Sequence, residues 1–128
     1  MKMAGLILAS AFLAIAAAPD RAFAQERTAE SFYQEASKFQ KKGALALLSM
    51  GKVKALMGEV KDAMAVARAE REAALAAGQT PRFCPPEKGS MDDKQLMAGL
   101  GAIPQAERRK IGLSEGITRV MARKYPCR

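Results

Sequence analysis

The chain has 128 residues and a formal net charge of +8, from 21 Lys and Arg against 13 Asp and Glu, and it contains neither His nor Trp. Histidine is the usual general base near neutral pH, the orienting base for Ser and Cys nucleophiles and the commonest metal ligand, so its absence excludes the standard triads and zinc sites. Every Asp and Glu falls in a charge-mixed, helix-like segment without a carboxylate constellation that would need burial, so no catalytic, metal-binding or cofactor-binding residues are expected.

The first two dozen residues have the order of a secretory signal. Lys2 supplies a positive start, residues 4–18 (AGLILASAFLAIAAA) form an apolar run, and Pro19-Asp20-Arg21 breaks it. Ala22-Phe23-Ala24 then puts small residues at the two positions a signal peptidase reads, just before Gln25. The run is shorter than the ~20 apolar residues that cross a bilayer, and no cysteine follows it to carry a lipid. A cleavable signal over residues 1–24 and a single exported domain over 25–128 are therefore expected, in the periplasm or secreted, with no membrane span in the mature form. Cleavage removes two of the 21 basic and one of the 13 acidic residues, leaving about +7. That balance favours an anionic partner such as a protein face, a membrane surface or a wall polymer. Outside the cytoplasm, and without a reading motif, nucleic acid is not expected to be one.

Helical signals fill the first half of the mature chain. Thr28 or Ser31 can cap a start, and Ser31-x-x-Gln34 fits the reciprocal capping pattern. Phe32, Ala36 and Phe39 share one face, and Gly43 is placed to end the helix. Residues 44–50 (ALALLSM) read as a short apolar helix or helical turn, with Gly51 as the next break. A long amphipathic helix follows, its stripe made by Val53, Leu56, Met57, Val60, Met64 and Ala67. Gly58 inside that stripe marks an expected close helix crossing, and Gly78 closes the helix. Met50, Met57, Met64, Met97 and Met121 are expected to fill the core.

Pro81, Pro85 and Pro86 make a stiff connector around Cys84. Ser90 is placed to cap the next helix, with Asp92 and Asp93 at the positive end of its dipole. Leu96, Met97 and Leu100 form its buried face, and Gly99, Gly101 and Ile103-Pro104 interrupt it. Pro104 can open a short turn over residues 105–110. Leu113 or Ser114 starts the last helix, with Ile117, Val120 and Met121 as its stripe, and Tyr125-Pro126 stops it. The two cysteines, Cys84 and Cys127, are an even pair in a short exported chain and are expected to form a disulfide. No segment has a sustained strand period. The predicted fold is all-α, a small bundle of about four to five helices closed by one disulfide.

Phe83-Cys84-Pro85-Pro86, the capped helix, the basic turn at Glu107-Arg108-Arg109, the final helix and Lys124-Tyr125-Pro126-Cys127 together resemble the Rap/Tai immunity family. Its members are small exported helical proteins that protect bacteria from peptidoglycan amidase toxins delivered by type VI secretion. The resemblance implies a helical domain closed by Cys84–Cys127, often dimeric, that occludes the active-site cleft of such a toxin. Family members commonly carry another cysteine pair in the N-terminal half, and this chain has none there. The exposed charges Glu107, Arg108, Arg109 and Lys110 are the candidate partner-binding residues. An alternative of a different class is a general cell-envelope adaptor or holdase, drawn to anionic surfaces by its charge and adaptable through its methionines.

Overall fold

The computed structural model describes residues 26–128, so the expected signal and its cleavage site lie outside the described residues. The described residues are all-α. Helix α1 covers Ala29–Lys42, a 3-10 helix Gly43–Ser49, α2 Met50–Ala76, α3 Asp93–Ala102, a short α4 Gln105–Arg108 and α5 Leu113–Lys124.

Thr28 caps α1, its hydroxyl accepting from the Ser31 amide at 3.1 Å. The reciprocal pattern expected from Ser31 and Gln34 is not formed, because the cap lies three residues earlier and Gln34 instead donates to Glu30. Gly43 ends α1 with φ of 54°, a left-handed backbone that glycine adopts without a Cβ clash. The apolar residues 44–50 are indeed helical but mostly 3-10. The break expected at Gly51 does not occur, for α2 begins at Met50 and carries Gly51 in its first turn.

Asp92, rather than Ser90, caps α3. Its carboxylate accepts from the Gln95 amide at 2.7 Å while the Gln95 side chain accepts from the Asp92 amide, closing a capping box. The Ser90 carbonyl instead accepts from Lys124 Nζ and the Tyr125 hydroxyl, fastening the start of α3 to the end of α5. Gly99 and Gly101 do not interrupt α3, which runs through both to Ala102.

Helix α5 is the spine of the fold. It packs along α2 and also against α1 and α3. Leu113, Ile117, Val120 and Met121 are buried on it against Leu100, Ile103, Phe32 and Phe83. Each such side chain, fully buried, stabilises the fold by ~1.5–3 kcal/mol. Glycine leaves room for close approach at two of the helix contacts. A Cβ on Gly99 would come within 2.5 Å of Val120, and one on Gly116 within 3.1 Å of both Ala29 and Leu100. The crossing expected at Gly58 is not there, because a Cβ at that exposed position would meet nothing within 4 Å. Helix α2 buries only Leu56, Ala63 and Ala67, a narrow seam suited to one neighbour rather than several. Met97 and Met121 are core residues as expected, and Met64 is partly buried. Met50 and Met57 are not, being 43% and 66% exposed.

Cys84 and Cys127 form the expected disulfide, with Cα atoms 4.9 Å apart. Beside it the Cys84 amide donates to the Tyr125 carbonyl at 2.8 Å. The connector is clamped from both sides, by Arg71 of α2 donating to the Phe83 carbonyl and by a two-pronged Arg82–Glu115 ion pair to α5.

Candidate functional site

The four candidate residues at 107–110 sit on α4 and the turn after it. Pro104 fixes the entry, and its carbonyl accepts from the Glu107 and Arg108 amides. The structure then separates the four into three kinds. Arg108, expected to be an exposed charge, is buried at 7% exposure. Its Nε donates to Glu30 of α1 at 2.5 Å, and its Nη1 donates to the carbonyls of Ile103, Gly101 and Leu100. Those carbonyls lie at the end of α3, where most backbone acceptors lose their intrahelical partners; that of Leu100 also accepts from the Ile103 amide at 3.1 Å. The guanidinium also lies 4.3 Å from the centre of the Tyr33 ring.

Glu30 completes the centre from the first turn of α1, where a negative charge suits the helix dipole. Its other oxygen accepts from Gln34 at 2.8 Å and Gln105 at 2.9 Å. The Arg108 hydrogen bond outweighs burial and holds the Glu30 carboxyl below the usual carboxylate range. No side-chain nitrogen or oxygen buried among the described residues lacks a partner. Planar Arg with five donors is the side chain suited to such a forked site, and Lys would not replace it.

Glu107 belongs to a surface chain of ion pairs. It meets Arg119 at 2.8 Å, Arg119 meets Glu115 at 3.0 Å, and Glu115 meets Arg82 at 2.6 Å. Arg82 is the main reason the Glu115 carboxyl is held below its usual range. Arg109 and Lys110 are exposed, displayed on a turn whose middle residue is anchored inside the protein.

A neighbouring anchor was not read from sequence. Residues 26–29 run beside the turn that opens α5, with Ala29 donating to the Ile111 carbonyl and Leu113 to the Arg27 carbonyl. Gly112 caps α5 and has no side chain to offer. The Glu26 carboxylate takes that role, accepting from both the amide and the hydroxyl of Ser114. The only local hint was the lack of a polar residue just before Leu113.

The second feature of note is an apolar knuckle. Leu45, Leu47 and Leu48 on the 3-10 helix are 64%, 68% and 85% exposed, and Met50 and Met57 continue the surface onto α2. Between knuckle and α3 lies an open depression of about 600 Å³, bordered by Tyr33, Phe39, Gln40, Lys94 and Met97. Among the described residues no helix is long and apolar enough to cross a membrane, and no group of three or more His, Cys, Asp or Glu is placed to hold a metal ion. Compared with family models, curated proteins and solved structures, the chain matches none.

Proposed function

We propose that this protein is a periplasmic binding protein of the immunity type, which occludes the active-site cleft of a peptidoglycan amidase toxin by contact alone. The observation that carries this reading is the α4 turn. Arg108 is bonded to three carbonyls and to Glu30, so Arg109 and Lys110 are displayed from a backbone already fixed before any partner arrives. A preformed surface loses little conformational freedom on binding, which is what inhibition by occlusion requires. The disulfide supports the same reading, since it joins the Phe83-Cys84-Pro85-Pro86 and Lys124-Tyr125-Pro126-Cys127 ends that carry the resemblance to Rap/Tai proteins.

The test is to measure binding to, and protection of cells from, a panel of periplasmically directed peptidoglycan amidases. Tight binding to one of them is expected, with Arg109→Glu/Lys110→Glu weakening it at least ~10-fold and leaving the melting temperature unchanged, as truncation or reversal of a central charged contact does. Arg108 is unsuited to this test, because reversing it would set two carboxylates together inside the protein. Neither binding nor protection across the panel would sink the reading, and full affinity in the double variant would move the contact away from α4.

A further inference from the structure

The knuckle after α1 combines two properties that the rest of the molecule keeps apart. Its leucines stand in solvent, and the sequence on either side of it carries only positive charge, the nearest acid across the neighbouring depression being Asp93 of α3, beside Lys94. From residue 36 to residue 58 the chain has no Asp or Glu and five lysines, Lys38, Lys41, Lys42, Lys52 and Lys54. All five are exposed. The acids on either side do not offset them, because Glu35 and Glu59 are both paired with Arg27, at 2.7 and 3.2 Å.

The shape of the apolar surface narrows the occupant. A 3-10 helix has three residues per turn, so Leu45 and Leu48 make one row while Leu47 and Met50 make another, about 120° away. Met57 extends the second row, two helical turns beyond Met50. Two rows at that angle form a convex ridge, not the flat or grooved seam that a partner helix fills. A second copy of this chain would bring five more lysines against these five. A fluid anionic surface meets both conditions: it deforms around a ridge, and it supplies negative charge on every side.

We infer that residues 43–57 seat the protein on an anionic phospholipid bilayer. Leu45, Leu47, Leu48 and Met50 enter the boundary between headgroups and acyl chains, and the flanking lysines meet lipid phosphates. This does not rest on the toxin reading, because the knuckle and the α4 turn share no residue.

The experiment is co-sedimentation of the exported, disulfide-bonded protein with vesicles of phosphatidylcholine alone and of phosphatidylcholine containing 30% phosphatidylglycerol. Binding is expected only to the anionic vesicles and should weaken several-fold when the salt is raised from low to physiological concentration, since screening shortens the reach of the lysines. Lys42→Gln and Lys52→Gln should each weaken it about fivefold, the effect of one cation near such a surface. Leu48→Ser should weaken it about tenfold, as loss of one inserted leucine does. Equal binding to both vesicles, no binding to either, or indifference to Leu48→Ser would each overturn the inference. So would a dimer at the vesicle-free concentrations used that Leu48→Ser dissolves, for the ridge would then be a contact between copies. All these proteins should keep the parent's melting temperature, which separates loss of binding from loss of fold.

Discussion

The two ends of α1 are built on opposite principles. Its first turn is tied to distant parts of the chain by Glu30 to Arg108, by the paired backbone bonds of Arg27 and Ala29 to the start of α5, and by Glu26 over the α5 N-terminus. Its last turn leads into a 3-10 helix with no buried residue at all. One end is held by partners about 80 residues away in the sequence, namely 78 for Glu30 and Arg108 and 88 for Glu26 and Ser114. The other is held by its immediate neighbours. The contrast implies that stability resides at the first end, while the second is available to meet something outside the protein.

The strongest way to break that contrast is Arg108→Ala. It leaves Glu30 buried without its cation and strips three carbonyls of a donor, and removing one member of a buried pair costs ~3–5 kcal/mol. Chemical denaturation at pH 7 should show this loss. Glu30 also fixes its pH dependence. Its folded pKa is depressed by Arg108, so the pair's contribution is fully present above the carboxyl's unfolded pKa and is lost as pH falls through the folded value. The gap in stability between parent and variant should therefore narrow on acidification, because a protonated Glu30 no longer needs its cation. A gap independent of pH would assign the loss to packing around Tyr33.

The disulfide comes next. Cys84 and Cys127 are 43 positions apart, and opening a loop of that size costs roughly 3–4 kcal/mol on the chain-entropy account. Cys84→Ser/Cys127→Ser should lower the melting temperature markedly, and the reduced parent should melt with it. Equal melting of oxidised and reduced parent would show that Arg82–Glu115 and the Cys84–Tyr125 backbone bond suffice to hold the connector.

What could be read from sequence follows the same division. Local signals were legible: a cap at Thr28 or Ser31, of which Thr28 is the one used, the stop at Gly43, the buried stripes of α3 and α5, and the cysteine pair. Signals that depend on a distant partner were not. Arg108 looked like one more charge in a basic turn, since nothing nearby in sequence points to Glu30. Gly58 and Gly99 show the same limit, for a glycine in a helix cannot reveal whether another helix crosses there. The helix that meets Gly99 begins 14 residues later, whereas Gly58 faces only solvent. One local signal was missed as well: Ser90 was expected to cap α3 and Asp92 only to suit its dipole, whereas Asp92 with Gln95 three residues on forms the capping box. Beside the knuckle, whose helical character was legible, Met50 and Met57 were misread for a related reason: apolar residues at helical spacing imply a core, and only the packing shows that these two have no neighbour to cover them.

The smallest expected effect is the most discriminating. Leu48→Ser removes an apolar side chain that is 85% exposed, so little surface returns to water on unfolding and the change in stability should stay within about 0.5 kcal/mol. The same substitution at Leu100, which is fully buried against Gly116 on α5, leaves both a cavity and a hydroxyl without a partner and should cost more than ~3 kcal/mol. Thermal melts of the two variants side by side would measure the difference between the two ends directly. If Leu48→Ser proved as damaging as Leu100→Ser, the 3-10 helix would be packed against the rest of the protein in solution, and the ridge would not be a surface. If Leu48→Ser were neutral or slightly stabilising, the most exposed side chain of the ridge would be one that folding does not need, and a partner outside the fold would be the remaining reason for it.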